Sequence, residues 1–112
     1  MTDRLFLVNP DWNDEVGGPW YCPAGAVIEG VLAFYPALKD RLEITRVDFP
    51  RPRAAVVELV GEANQSCPLL VLAEGRHWPE ARVSEVTGRL FLQDEAMIPY
   101  LADCYGIGLP HP

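Results

Sequence analysis

The fold is decided by residues 23–38, PAGAVIEGVLAFYPAL, in which apolar side chains recur at helical spacing. Pro23 suits the first turn of a helix, and Pro36 predicts that the helix frays or kinks near its end. Strand patterns flank this helix: the buried apolar run Arg4–Val8 precedes it, and the alternating stretch Leu42–Phe49 follows it. A strand, a helix and a strand in this order predict a right-handed β-α-β unit with parallel strands.

The second half of the chain predicts a helix, two strands and a last helix. The first of these helices covers Ala54–Ala63, and the strands cover Leu69–Ala73 and Arg89–Gln93. The two strands are joined by the loop of residues 74–87 rather than by a helix, so we expect them to be antiparallel. The last helix covers Glu95–Tyr105.

Residues at the ends of that last helix carry their own signals. Asp94 is a good N-cap, Gly106 closes the helix, and Pro99, inside it, predicts a missing hydrogen bond. The complete order, β-α-β-α-β-β-α, predicts an α/β fold with a mixed four-stranded sheet flanked by helices. The chain of 112 residues has the size of a single domain, 1–112.

Composition narrows the classes of partner. Nine basic and sixteen acidic residues give a net charge of −7, which argues against nucleic-acid binding. Apolar runs such as Leu69–Ala73 are too short to span a bilayer, and Met1–Leu5 does not begin a signal peptide. We therefore expect a cytoplasmic protein that does not bind membranes, whose three cysteines are free or redox-active. His77 and His111 show no metal-ligand spacing, and no metal is expected.

Three segments carry a resemblance to a known group of proteins. In residues 20–25, WYCPAG, a cysteine lies between the loop after the first strand and the first helix. In Ser66-Cys67-Pro68 a proline directly precedes the third strand, and residues 93–102 read QDEAMIPYLA. With these segments, and over nearly its whole length, the chain resembles a bacterial family of the thioredoxin-like superfamily. Residues 93–102 in particular resemble the end of a glutathione-transferase N-terminal domain.

The resemblance implies a thioredoxin-like fold with Cys22 at the nucleophile position of thioredoxins and glutaredoxins. It also implies a cis peptide bond before Pro68, with Cys67 beside Cys22. One departure is clear, because Cys22 is followed by Pro23-Ala24-Gly25 and the second cysteine of a Cys-x-x-Cys motif is absent. That departure puts ordinary thioredoxin-type disulfide reduction in doubt.

The two cysteines leave several chemistries open. A cysteine at a helix N-terminus faces free N–H groups and the positive end of the helix dipole, which favour the thiolate, the nucleophile of disulfide exchange. Cys67 then replaces the absent resolving thiol, or the pair holds a soft metal or shares an iron–sulfur cluster with a second subunit. Alternatively, Cys22 is an ordinary, partly buried residue and Cys67 packs against the sheet. Cys104 is expected in or near the core.

Further residues are candidates for ligand binding. By the resemblance, Pro68 and the Cys67 backbone hold the cysteinyl part of glutathione, and Gln93 and Asp94 meet its γ-glutamyl end. For Asp94, helix capping is a sufficient alternative. The remaining candidates each have a functional and a structural interpretation. The aromatic residues Trp12, Trp20 and Tyr21 either line a cleft above Cys22 or cover the end of the sheet. Arg51 and Arg53 either pair with a ligand carboxylate or are solvated. Residues 74–87 either bind a partner or form a solvated loop.

Two functions therefore compete. The first is a glutaredoxin-like thiol–disulfide or glutathione-linked redox protein, in which Cys22 is the nucleophile and Cys67 or glutathione resolves the mixed disulfide. It needs no bound cofactor, and its partner is glutathione or a thiol/disulfide protein. The second is a non-catalytic thioredoxin-fold binding module. A homodimer is compatible with both.

Overall fold

The computed structural model describes residues 2–112. Seven strands are present in this part of the chain: β1 Arg4–Val8, β2 Trp12–Asp14, β3 Gly17–Trp20, β4 Glu43–Val47, β5 Leu69–Val71, β6 Arg82–Val83 and β7 Leu90–Gln93. The α-helices are α1 Pro23–Phe34, α2 Leu38–Arg41, α3 Ala54–Val60 and α4 Met97–Tyr105. Short 3₁₀ helices cover Glu62–Asn64 and Asp94–Ala96. Of the helices in residues 2–112, none combines the length and the apolar character needed to cross a bilayer.

Five of the strands form one mixed sheet in the order β4-β1-β5-β7-β6. β1 pairs in parallel with β4, with Leu5 opposite Ile44, and antiparallel with β5, with Phe6 opposite Leu69. β5 and β7 are also antiparallel. The mixed α/β class and the strand directions expected from the sequence are therefore confirmed.

The core lies on both faces of this sheet because side chains alternate along β1. Leu5 and Leu7 point to the face covered by α1 and α4, where the buried residues include Ile28, Leu32 and Leu101. Phe6 points to the opposite face, which α3 covers; the buried residues there include Val56, Val60, Leu69 and Phe91. Helices thus flank the sheet on both sides, as expected.

The prediction of four strands is wrong, because the sheet has a fifth strand at its edge. β6 lies inside the predicted loop 74–87 and pairs antiparallel with β7, with Val83 opposite Leu90. Both residues of β6 are exposed. A two-residue strand with no buried side chain leaves no alternating pattern in the sequence, so only its pairing with β7 reveals it.

The segment between β1 and α1, expected to be the loop after the first strand, contains the hairpin β2–β3. Gly18 has a φ of 137°, and a Cβ there would lie 2.5 Å from Oδ1 of Asn13, so only glycine fits. The hairpin holds Trp12 against Phe49, with ring centroids 4.5 Å apart and planes 6° from parallel.

Prolines and glycines set the helix ends, with two corrections. α1 ends before Pro36, as expected, and Gly106 closes α4 in the left-handed conformation. Asp94 does not cap α4: its φ is 54°, it begins a 3₁₀ turn, and the N-cap position belongs to Ala96. Pro99 is the third residue of α4, where a backbone N–H has no helical acceptor, so the expected loss of a hydrogen bond does not occur.

A buried carboxylate joins β1 to the C-terminal helix. Asp3 is 1% exposed, and its Oδ1 accepts a 2.6 Å hydrogen bond from the Ala73 N–H. Its Oδ2 accepts hydrogen bonds from the hydroxyls of Tyr100 and Tyr105 at 2.5 and 2.6 Å. Arg76 completes the set with an ion pair at 3.3 Å.

Candidate thiol site

Cys22 is the residue that caps α1. Its backbone is extended, with φ −78° and ψ 118°, and Pro23 begins the helix directly after it. The Cys22 Sγ accepts a hydrogen bond from the Gly25 N–H at 3.3 Å. The sulfur therefore occupies the place of a capping oxygen, where helix N–H groups favour a negatively charged ligand. Cys22 is half-buried, and it lines two surface clefts.

The sheet brings Cys67 to Cys22 across a separation of 45 residues. Because β1 and β5 are antiparallel neighbours, the start of β5 lies beside the end of β1, from which the chain leads to Cys22. The Cys22 Sγ lies 3.8 Å from the carbonyl oxygen of Cys67. The Cys67–Pro68 peptide bond is cis, as expected.

Cys67 is more enclosed than Cys22. It is 8% exposed, and its Sγ donates to the Gln65 carbonyl oxygen at 3.7 Å. Burial raises the pKa of the Cys67 thiol, while the positive charge of nearby Arg53 partly opposes that rise. Both cysteines are free thiols.

An open cleft of about 220 Å³ reaches both thiols. We call it the Trp12–Phe49 cleft after its stacked aromatic wall. The chemically informative residues that line it are Trp12, Cys22, Phe49, Arg51, Arg53 and Cys67, and none of its lining residues is acidic. In a chain of net charge −7, a cleft with two guanidinium groups and no lining carboxylate is suited to an anionic ligand.

The two arginines of this cleft differ in exposure. Arg51 is exposed and donates to the Ser66 hydroxyl at 3.3 Å. Arg53 is only 6% exposed, and its guanidinium donates to the carbonyl oxygens of Phe49 and Gln65. From the sequence we expected Arg53 to be solvated or to contact a ligand. Nothing in the sequence around it, a charged residue next to prolines, indicated that it would be buried.

A second cleft lies on the other side of Cys22. It has a volume of about 230 Å³ and is lined by Tyr21, Gly25 and Glu29 among others. Tyr21 is 67% exposed and forms the rim of this cleft. Trp20 belongs instead to the hairpin, where its Nε1–H donates to Asp14 at 3.0 Å. Of the three aromatic candidates, Trp12 and Tyr21 therefore line clefts at Cys22.

Gln93 and Asp94 occupy different environments. The Gln93 side-chain N–H group donates to the Ser66 carbonyl at 3.1 Å and to that of Asn64 at 3.3 Å, and its oxygen accepts from Arg82 at 2.8 Å. This amide thus holds the segment that leads into Cys67. Asp94 is exposed, and its N–H donates to the Pro68 carbonyl at 3.0 Å, which places it directly beside Pro68.

The remaining candidates lie apart from the thiol pair or have a packing role. Cys104 packs against the core cluster that α4 helps to form, as expected from the sequence. His77 and His111 line other surface depressions. Within residues 2–112, no three His, Cys, Asp or Glu side chains are grouped so that they could hold a metal ion.

Comparison with known families identifies the family of this chain. Residues 2–109 match the family described as protein of unknown function, DUF3088, and the chain belongs to that family. No curated protein and no solved structure matches the chain.

Proposed function

We propose that the protein is a glutaredoxin-like thiol–disulfide oxidoreductase with a thioredoxin-like fold, in which Cys22 is the nucleophile and Cys67 the resolving thiol. The observation that carries the proposal is the position of the Cys22 sulfur. It accepts the Gly25 N–H at the start of α1 and lies 3.8 Å from the Cys67 carbonyl oxygen. The proposed fold is supported by the β4-β1-β5-β7 order and by the location of Cys22 directly before α1.

The proposed reaction balances as two exchanges. The Cys22 thiolate attacks one sulfur of a disulfide RS–SR′; a Cys22–SR bond forms, the old S–S bond breaks, and R′S⁻ leaves and takes up a proton. The Cys67 thiolate then attacks the Cys22 sulfur, forming the Cys22–Cys67 bond and releasing RS⁻. The substrate gains two electrons and the protein loses two. Two molecules of glutathione restore the dithiol by the reverse exchanges, and glutathione also resolves the first mixed disulfide directly.

The residues around the two cysteines have separate roles in the proposed reaction. The Gly25 N–H donates to the Cys22 sulfur and holds it at the start of α1, and Gln93 fixes the segment that carries Cys67. The proposal keeps Pro68 and Asp94, which are hydrogen-bonded to each other next to Cys67, as ligand contacts, and Tyr21 as the rim of the second cleft. Regeneration of the dithiol by glutathione needs a reducing compartment, so the proposal includes a cytoplasmic location.

The charges of the Trp12–Phe49 cleft specify the substrate further. Arg51 reaches the surface of the cleft and, within residues 2–112, has no carboxylate within 4.0 Å. An incoming carboxylate therefore meets an available guanidinium next to the nucleophile. Glutathione and its disulfide carry such carboxylates, which supports glutathione as the co-substrate.

The test of this proposal is the alkylation rate of each cysteine in the native protein. Iodoacetamide is applied at neutral pH, and peptide mass spectrometry follows Cys22 and Cys104 in the same sample. Because Cys22 lines two surface clefts at the start of α1, whereas Cys104 packs against the core, we expect Cys22 to react faster than Cys104, on the order of tenfold. Equal rates would contradict the assignment of Cys22 as a nucleophile.

A charged reagent tests the cleft in the same experiment. Iodoacetate is the anionic counterpart of iodoacetamide, so the ratio of the two rates reports on local charge. For Cys22 we expect a higher iodoacetate-to-iodoacetamide ratio than for Cys104, and Arg51→Met should lower that ratio severalfold. A ratio that Arg51→Met leaves unchanged would argue against an anionic substrate at this cleft.

One observation favours the alternative of a non-catalytic binding module. A groove of about 520 Å³, larger than either cleft at Cys22, lies between α1 and the C-terminal tail, where Val27, Phe34 and Leu109 are exposed apolar residues. A module that binds through this groove would be indifferent to the thiols. Replacement of Cys22 and Cys67 by serine would then leave its biological role intact, whereas the redox function would be lost.

A further inference from the structure

Arg53 is a buried cation without a negatively charged partner. It is 6% exposed, and within residues 2–112 no carboxylate oxygen lies within 4.0 Å of its guanidinium. The ion pairs of the described chain use other arginines, which are Arg4, Arg46, Arg76 and Arg89. Burial of a charge is costly unless the charge is compensated, so the position of Arg53 requires an explanation.

Hydrogen bonds fix the Arg53 guanidinium without neutralising it. Its Nε and one terminal nitrogen donate to the Phe49 carbonyl at 3.1 and 2.7 Å, and the other terminal nitrogen donates to the Gln65 carbonyl at 2.9 Å. A guanidinium has five N–H donors, so two remain after these three bonds. The group is therefore held rigidly in place with donors to spare.

The same guanidinium lies beside the second thiol of the site. The Gln65 carbonyl that accepts from Arg53 also accepts from the Cys67 Sγ, at 3.7 Å, and both side chains line the Trp12–Phe49 cleft. A fixed positive charge thus faces the position where negative charge develops when Cys67 loses its proton.

The charges around Cys67 act in opposite directions on its thiol. Burial raises the pKa of Cys67 and is the largest effect, whereas the positive charge of Arg53 lowers that pKa. Cys22 raises the pKa of Cys67 further, and Arg51 lowers it. At neutral pH the resting Cys67 is a protonated thiol, and Arg53 is the main group that limits the cost of ionising it.

We propose that Arg53 is a positioning residue that supplies the counter-charge for the Cys67 thiolate during the resolving step. This inference rests on the proposed function. Once Cys22 is in a mixed disulfide, Cys67 must become a thiolate inside a buried site before it attacks the Cys22 sulfur. A guanidinium already fixed beside it stabilises that charge without any rearrangement, as preorganised donors do for developing oxyanions.

The experiment follows the two exchanges separately with the aromatic disulfide dithiobis(nitrobenzoate). Attack by Cys22 releases one coloured thionitrobenzoate, and attack by Cys67 on the resulting mixed disulfide releases the second. Cys104→Ser removes the remaining thiol from all samples. The variants are Arg53→Gln, which keeps hydrogen-bond donors without the charge, and Arg53→Lys, which keeps the charge. Arg41→Met controls for the loss of one positive charge from the protein as a whole. Arg41 is exposed, and its guanidinium donates to the Tyr105 carbonyl rather than lining the cleft.

We expect Arg53→Gln to slow the second release about tenfold and to move its pH dependence to higher pH, because one pKa unit changes the thiolate fraction tenfold. The first release should change much less. Arg53→Lys should retain the wild-type pH dependence of the second release, and Arg41→Met should alter neither phase. Circular dichroism checks that each variant is folded.

Three results would overturn the inference. If Arg53→Gln and Arg53→Lys change the second release equally and without a shift in pH dependence, Arg53 acts only through packing. If the wild-type protein shows a first release and no second release, Cys67 is not a resolving thiol, and that part of the proposed function fails together with the inference. A normal second release that Arg53→Gln leaves unchanged overturns the inference alone.

Discussion

The side chain of Asp3 shows how much of this structure depends on single buried groups. Its carboxylate accepts hydrogen bonds from the hydroxyls of Tyr100 and Tyr105, and it lies at the opposite end of β1 from the thiol site. Burial, together with the hydrogen bonds to Asp3, raises the pKa of Tyr100 and of Tyr105. Both hydroxyls should therefore stay protonated in the folded protein under mildly alkaline conditions.

This tyrosine shift predicts how stability changes with pH. A folded-state pKa above the unfolded value stabilises the fold fully below the unfolded pKa, about 10 for tyrosine, and that stability is lost as the pH rises further. We expect the free energy of unfolding to fall above about pH 10. Denaturant titrations at a series of pH values, read by circular dichroism, measure this free energy. A constant value through that range would contradict the buried tyrosine pair.

At the residue scale, the sequence was informative about Cys22 and uninformative about Arg53. Cys22 was identified because proline at the first helical position marks the helix start, and a residue before a helix start faces its free N–H groups. Arg53 was named as a ligand contact or a solvated residue, but its burial was not predicted because it depends on the Phe49 and Gln65 carbonyl groups, whose convergence is a tertiary feature. The stacking of Trp12 on Phe49 was not predicted either, because it joins two residues that are distant in the sequence.

At the scale of elements, helix α1 contains two glycines whose replacement should have different effects on protein stability and on the reactivity of Cys22. A Cβ added at Gly25 would lie 3.6 Å from the Cys22 sulfur, in ordinary contact with it, whereas a Cβ at Gly30 meets no atom within 4 Å. Alanine suits a helix better than glycine by about 1 kcal/mol. Gly30→Ala should therefore stabilise the protein by up to about that amount and leave Cys22 unaffected.

Gly25→Ala is the matched change at the thiol. The added methyl group covers part of the Cys22 sulfur, so we expect the protein to fold normally while iodoacetamide alkylates Cys22 severalfold more slowly. Thermal unfolding and the alkylation rate are measured for both variants. Equal alkylation rates in Gly25→Ala and Gly30→Ala would show that the sulfur does not react from the side that Gly25 faces.

The strands with a clear sequence pattern were predicted, and those without one were not. Strands β1, β5 and β7 were found because buried strands leave apolar runs, and the joining loop gave the antiparallel direction of the last two. The edge strand β6 was missed because its two residues are exposed. The hairpin was missed because two consecutive glycines are typical of a loop. In the structure Gly17 and Gly18 begin strand β3, and both have positive φ angles.

At the scale of the whole molecule, the sheet is what makes a two-cysteine site from distant residues. The antiparallel pairing of β1 with β5 places Cys67 at the same sheet end as Cys22. Around this pair the Trp12–Phe49 cleft carries two arginines in a chain of net charge −7. The molecule thus combines an accessible thiol, an enclosed thiol and a local positive charge, which is the combination that disulfide exchange with an anionic substrate requires.

The most direct measurement is the mass of the native protein after treatment with oxidised glutathione, followed by non-reducing peptide mapping. In the wild-type chain we predict loss of two hydrogens and a Cys22–Cys67 disulfide, with no adduct retained. In Cys67→Ser we predict that a glutathione adduct accumulates on Cys22, and in Cys22→Ser that neither product forms. A wild-type protein in which the Cys22 and Cys67 peptides remain unlinked would contradict the account.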